Sequence, residues 1–139
     1  MALNRSALQE LARKRLREAR ALMGSGHYDG AYYLTGLAVE CALKACIARK
    51  TRRHDFPDLT VVKDSYTHNL PKLLTVAGLV PEMDRDARSE PQLNAHWAVV
   101  KEWTVDSRYA TKERQEACEL YRAVAGRRHG VLAWLRRRW

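Results

Sequence analysis

The amino-acid sequence predicts an all-α protein, an up-and-down helical bundle of four long helices plus a short one. Three observations support this class. Apolar residues recur at three- and four-residue steps over long stretches, which is the period of an α-helix. Only 7 glycines and 4 prolines occur, and they separate these stretches. No segment alternates strictly between apolar and polar residues, as a half-buried strand would.

Length and composition indicate one globular domain with a basic surface. The 139 residues are predicted to form a single domain over 1–139, and 46% hydrophobic with 29% charged residues is typical of a folded chain. The formal net charge of +9 attracts phosphate-bearing partners such as nucleotide or RNA. It is equally the charge of a solvated surface kept for solubility.

Cysteine usage and hydropathy predict a cytoplasmic protein without cofactor. Cys41, Cys46 and Cys118 show no CxxC spacing, so neither a disulfide framework nor a metal site is expected. The N-terminus lacks an apolar core of signal-peptide length, and no run of about 18 apolar residues occurs. We therefore expect no membrane contact.

The first two helices are predicted from their caps and apolar stripes. Ser6 and Gln9 fit a capping box for the first helix, which Gly24 ends. The second helix is predicted from near Asp29 to about Lys50. Its core-facing stripe is predicted to be Leu34, Ala38, Cys41, Ala45 and Ala48.

The remaining chain is predicted as one short and two longer helices between loops. Residues 51–66 and 80–91 lack a clean period and are predicted to be loops. The short helix follows Asn69 and ends at Gly78, and another helical face follows Pro91. The last helix is predicted from about residue 111 to the end, with glycines at 126 and 130 weakening it midway.

Three segments, taken in order, resemble the HEPN family. They are residues 27–33 (HYDGAYY) with 38–45 (AVECALKA), residues 68–74 (HNLPKLL), and Trp103 followed by residues 107–109 (SRY). The resemblance implies a helical bundle, commonly a homodimer. It also implies nucleotide binding and a toxin-antitoxin or defence-type system, often with a nucleotidyltransferase as partner.

Five residues in these segments are candidates for nucleotide or phosphate binding. They are Glu40, Lys44, His68, Arg108 and Tyr109. Glu40 and Lys44 lie one helical turn apart, which also fits a simple ion pair. His68 immediately before a helix also fits a capping or packing role. We expect Arg108 to lie within ion-pair reach of Glu40, with His68 nearby, because a buried carboxylate needs a partner.

Arg122 and His129 are the candidate catalytic residues. The catalytically active branch of the HEPN family uses an Arg, four to six residues, then a His, and the resemblance places these residues in those roles. The histidine would move a proton at the ribose 2′-hydroxyl, and the arginine would stabilise charge on phosphate. Seven positions on one continuous helix would bring both side chains nearly to one face. The alternative is a basic surface that contacts phosphate without chemistry.

The C-terminal region interleaves cations with tryptophans. Phosphate contact with base stacking fits this pattern, and so does packing of the tryptophans on the bundle or on a second protomer. The residues are Arg127, Arg128, Arg136, Arg137, Arg138, Trp134 and Trp139.

Three functions therefore remain open from the sequence. The first is a nucleotide- or RNA-binding module that does not turn its ligand over. The second is an enzyme, a metal-independent endoribonuclease that uses Arg122 and His129. The third is a non-catalytic interaction module that docks on a nucleotidyltransferase or other protein.

Overall fold

The longest helix of the chain, α2, runs through the core, and the other helices pack around it. A computed structural model of the protein describes residues 4–52 and 63–139. The helices complete within those residues are α1 (Arg5–Gly24), α2 (Tyr28–Arg52), α3 (Leu70–Val76), α4 (Val80–Ser89), α5 (Pro91–Val100), a 3₁₀-helix (Val105–Tyr109), α6 (Arg114–Ala125) and α7 (Val131–Arg136). The described residues contain no strand, so the predicted all-α bundle is confirmed, although it has more and shorter helices than expected.

Helix α2 is buried on most of its circumference, because α1, α3, α6, α7 and the 3₁₀-helix all contact it. The single apolar stripe predicted for it is too narrow. Val39, Ala42 and Leu43 are fully buried although they lie outside that stripe, while Leu34 and Ala48 within it are only half-buried. A helix that is apolar all round belongs in the middle of a core.

The same helix is long and apolar enough, by length and composition alone, to cross a bilayer. The most apolar 18-residue window of Tyr28–Thr51 has a mean hydropathy of 1.3, but 67% of that window is buried inside the domain. Burial of this kind is what the core helix of a soluble protein shows, so the stretch is weak evidence for a membrane span.

Trp103 packs directly onto the backbone of α2 at Gly36. A Cβ atom at Gly36 would lie 2.2 Å from three atoms of the Trp103 ring, so only glycine leaves room for the indole. The ring is 1% exposed and stacks on Tyr33 with a centroid distance of 6.1 Å. This contact holds the segment after α5 against α2.

Two predictions near the helix starts are wrong. Helix α1 is capped by Asn4, whose side chain accepts a hydrogen bond of 2.8 Å from the Ala7 amide, and not by a Ser6–Gln9 box. Residues 80–91 are mostly helix α4 rather than loop. Its proline lies in the first turn, where no amide is needed, and Met83 is buried against the core. The predicted loop at 51–66 lies mostly outside the described residues.

The predicted single C-terminal helix is also wrong, because the chain breaks between Ala125 and Val131. Gly126 has an extended backbone (φ −54, ψ 135). A Cβ atom at Gly130 would lie 2.3 Å from the Gly126 carbonyl oxygen. These two glycines therefore form a tight connection that turns the chain from α6 into a separate α7.

Helix α7 is tied to α4 by polar contacts around a buried tryptophan. The Trp134 indole donates a hydrogen bond of 2.8 Å to the Asp86 carboxylate, and Arg138 forms an ion pair with Asp86 at 3.1 Å. The hydrogen bond from Trp134, with Arg85 and Arg138 nearby, lowers the pKa of Asp86. Trp134 is 1% exposed, so it packs within its own bundle.

We expect Gly36→Ala to lower the free energy of unfolding by about 1–3 kcal/mol or more, because the new methyl group overlaps the Trp103 ring. Gly24→Ala is the control, since a Cβ atom there meets nothing within 4 Å. The control should be neutral or more stable by up to about 1 kcal/mol. Urea unfolding of both variants measures the difference, and equal stability of Gly36→Ala and the parent protein would contradict the close approach.

Candidate functional site

A groove of about 740 Å³ lies between α5 and α6. Its size is in the range of small-ligand sites, and it is open to solvent along one side. The residues that line it are Ala95, His96, Val99, Arg114, Gln115, Cys118, Glu119, Arg122 and Ala123.

The helical period places the polar side chains on the groove side of α6. Arg114, Cys118 and Arg122 follow at four-residue steps and share one face. The opposite face of α6 carries Ala117 and Leu120, which are fully buried. The Cα atoms of the two arginines are therefore about 12 Å apart along the helix axis, with their side chains on the same face.

Both arginines of the groove lack a compensating carboxylate. Arg114 and Arg122 are exposed, and neither forms an ion pair or a side-chain hydrogen bond with any residue that the structure describes. Glu119 is the acidic residue in the lining. The groove therefore presents an excess of positive charge to an incoming ligand.

His96 lies in the groove with a defined ring orientation. Its Nδ1 atom is 2.8 Å from the main-chain carbonyl oxygen of His129. Because a carbonyl oxygen only accepts, Nδ1 carries the hydrogen, and the Nε2 atom of the neutral ring is left as an acceptor. The half-buried His129 has a buried Nδ1 atom without a partner among the described residues.

The assumption that Arg122 and His129 share one helical face is wrong. Helix α6 ends at Ala125, three residues after Arg122, and the chain is extended at Gly126. His129 instead follows the break, where its carbonyl group holds His96. Both candidate catalytic residues lie near His96, because Arg122 lines the same groove and the His129 carbonyl group contacts the His96 ring. They do not share a helix.

Glu40, Lys44 and His68 form a polar cluster, and His68 lies near Glu40 as expected. Glu40 is 5% exposed. Its Oε1 atom lies 2.9 Å from His68 Nδ1, and its Oε2 atom lies 3.3 Å from Lys44 Nζ. Asn69 helps to position His68, because its side chain caps α3 through the Lys72 amide at 2.8 Å. The cluster joins α2 to the start of α3.

The predicted ion pair between Arg108 and Glu40 is wrong. Within the described part of the chain, Glu40 pairs with Lys44 at one oxygen and lies at hydrogen-bond distance from His68 at the other, and Arg108 forms no ion pair. Arg108 is exposed, and its guanidinium carbon lies 4.8 Å above the ring of Tyr109, which is 79% exposed. His68 satisfies the carboxylate that was expected to need an arginine.

Sequence reasoning missed His96 and Arg114. The signal for His96 was its spacing, because it lies three residues after the buried Leu93 and four before the buried Val100. A histidine in that position faces the neighbouring helix. Arg114 follows a capping box formed by Glu113 and Glu116, which starts α6 and so fixes where its arginines begin.

The buried cysteines are not nucleophiles. Burial raises the pKa of Cys41 to about 11 and the pKa of Cys46 to about 12, so both thiols stay protonated at neutral pH. In the described residues no group of three or more His, Cys, Asp or Glu could hold a metal ion.

Comparison with protein-family models matches residues 6–127 with the HEPN domain. The match covers nearly the whole chain, including the Glu40 cluster and the α5–α6 groove. No curated protein and no solved structure matches this chain.

We expect Lys44→Met to lower the free energy of unfolding by about 2 kcal/mol, because it leaves the buried Glu40 carboxylate with His68 alone. Lys72→Met is the control. Lys72 pairs with Asp64 at 3.7 Å with side-chain exposures of 52% and 39%, so its loss should cost no more than about 0.5 kcal/mol. Denaturant titration compares them, and equal losses would mean that Lys44 does not compensate Glu40.

Proposed function

The chain belongs to the HEPN domain family, and from this premise we propose that it binds RNA or nucleotide phosphate through the α5–α6 groove. Family membership supports a nucleotide- or RNA-related helical protein. The observation that carries the proposal is that Arg114 and Arg122 line one groove with His96 and form no ion pair with any described residue.

The geometry of the groove fits a phosphate backbone. Guanidinium groups bind phosphate oxygens with two parallel hydrogen bonds, and neither arginine has a charged partner within residues 4–52 and 63–139. A separation of about 12 Å along α6 suits phosphates that are not adjacent in a single strand. The net charge of +9 adds a long-range attraction that speeds encounter.

Other residues supply further contacts in this proposal. The exposed Tyr109 ring, with Arg108 stacked on it, offers a base a flat surface and a cation. His68 is half-exposed, and its free ring edge is available to phosphate, whereas Glu40 and Lys44 hold it in position. The buried Glu40 cluster itself acts as a clamp between helices.

We also propose a biological setting for this activity. The protein works as a cytoplasmic homodimer in a toxin-antitoxin or defence-type system, with a nucleotidyltransferase as its protein partner. HEPN membership supports this setting, and the three free cysteines are consistent with a reducing compartment.

We expect Arg114→Gln/Arg122→Gln to weaken binding of a labelled single-stranded RNA by about tenfold or more, since charged hydrogen bonds to two phosphates are lost. The slope of log affinity against log salt should fall by about 1.4. Lys14→Gln/Arg20→Gln is the control, because it removes two exposed, unpaired cations from α1. Fluorescence anisotropy over a salt series measures both, and an equal loss in the control would remove the groove from the proposal.

A second candidate function, a metal-independent endoribonuclease, is favoured by the ring orientation of His96. Its Nε2 atom can take the proton of a ribose 2′-hydroxyl. The 2′-oxygen then attacks phosphorus and the 5′-oxygen leaves, which yields a 2′,3′-cyclic phosphate and a 5′-hydroxyl end. Arg122 stabilises the charge on phosphate, and His129 gives a proton to the leaving oxygen.

We expect RNA cleavage in the presence of a metal chelator if this second function operates. His129→Ala and His96→Ala should each lower the cleavage rate by about 100-fold or more while RNA binding changes little, because general acid-base catalysis contributes that much. An RNA with a 2′-deoxy nucleotide at the cleaved position is the substrate control. Absence of cleavage in the parent protein, or unchanged rates in both variants, would contradict the nuclease function and leave binding as the proposed function.

A further inference from the structure

A second cavity, of about 610 Å³, lies where the ends of α2 and α7 meet the beginning of α4. It is distinct from the α5–α6 groove and shares no residue with it. Its lining residues are Cys46, Arg49, Lys50, Ala77, Leu79, Glu82, Arg137 and Arg138. Four of these eight carry a positive charge and one a negative charge.

The carboxylate of this cavity is already neutralised by one arginine. Arg138 uses its Nε atom on Glu82 at 2.6 Å, its Nη1 atom on the Trp134 carbonyl oxygen at 2.9 Å and its Nη2 atom on Asp86 at 3.1 Å. Its guanidinium group is thus committed to structure. The negative charge of Glu82 is thereby compensated within the fold.

The other three cations have no such partner. Arg49, Lys50 and Arg137 form no ion pair and no side-chain hydrogen bond with any residue in the described ranges. Arg49 and Lys50 come from the last turns of α2, where they also interact favourably with the helix dipole. That effect does not explain why Arg137, from the end of a different helix, lines the same cavity.

Local structure keeps Lys50 at this cavity. Its ammonium group lies over the turn between α3 and α4, where a Cβ atom on Gly78 would come within 3.0 Å of the Nζ atom. Gly78 adopts a positive φ of 73, which glycine favours. Ala77 and Leu79 on either side give the cavity an apolar wall, and the protonated Cys46 thiol adds no negative charge.

We propose that this cavity binds a small oligophosphate anion, with Arg49, Lys50 and Arg137 as its phosphate ligands. Three cations that line one cavity match an anion that carries several charges better than a single phosphate. The volume is in the range of small-ligand sites, and Ala77 and Leu79 give the cavity an apolar wall. The phosphate chain can come from a nucleotide or from inorganic polyphosphate.

Isothermal titration at constant ionic strength with inorganic tripolyphosphate and with ATP tests the proposal. We expect saturable binding of tripolyphosphate to one site per chain in Arg114→Gln/Arg122→Gln, in which the groove is disabled. Arg49→Gln/Arg137→Gln should weaken it by about tenfold for each cation removed, since charged hydrogen bonds contribute about that much. Lys50→Gln should weaken it by about tenfold in the same way.

Two controls make the result specific. Lys14→Gln/Arg20→Gln removes the same charge from α1 and should change the affinity less than about twofold, because exposed distant charges are screened. Arg114→Gln/Arg122→Gln should retain tripolyphosphate binding while losing RNA, so failure of the groove and failure of this cavity are distinguishable.

ATP binding at tripolyphosphate affinity identifies the phosphate chain as the whole ligand, and tighter ATP binding identifies a nucleotide. Absence of tripolyphosphate binding, or equal losses in the cavity and α1 variants, would overturn the proposal.

Discussion

Burial of α2 on nearly all sides is the constraint on which the rest of this structure depends. Small residues such as Ala38 and Ala42 let neighbouring helices approach closely, and Gly36 lets the Trp103 ring lie on the helix backbone. A helix in this position cannot leave a charge unpaired, because desolvation of a lone carboxylate costs several kcal/mol. Glu40 is accordingly paired with Lys44 and His68, and the contact with His68 links α2 to the start of α3.

The break between α6 and α7 determines where the candidate functional residues of the C-terminal region lie. A continuous helix would have carried its arginines away from the core in one direction. The connection formed by Gly126 and Gly130 instead turns the chain. The carbonyl oxygen of His129 then lies 2.8 Å from His96 Nδ1. Helix α7 then packs near the end of α2, where Arg137 joins the second cavity.

The state of pairing separates structural charges from charges that are available to ligands. Arg138 and Glu40 are surrounded by partners at hydrogen-bond distance, and each holds two helices together. Arg114 and Arg122 lie on the surface of the groove and have no such partners in the part of the chain that the structure describes. In a chain with a net charge of +9, this difference says more about function than the number of arginines does.

The sequence by itself determined the helical class, the span of α2, the start of the short helix after Asn69 and the one-turn spacing of Glu40 and Lys44. These features follow from local rules, since caps and four-residue steps involve neighbours in the chain. Only the tertiary structure decided that 80–89 is a helix, that His68 takes the partner role expected of Arg108, and that His96 lies beside Arg122. Those outcomes depend on contacts between residues far apart in sequence, where burial against another helix overrides local preference.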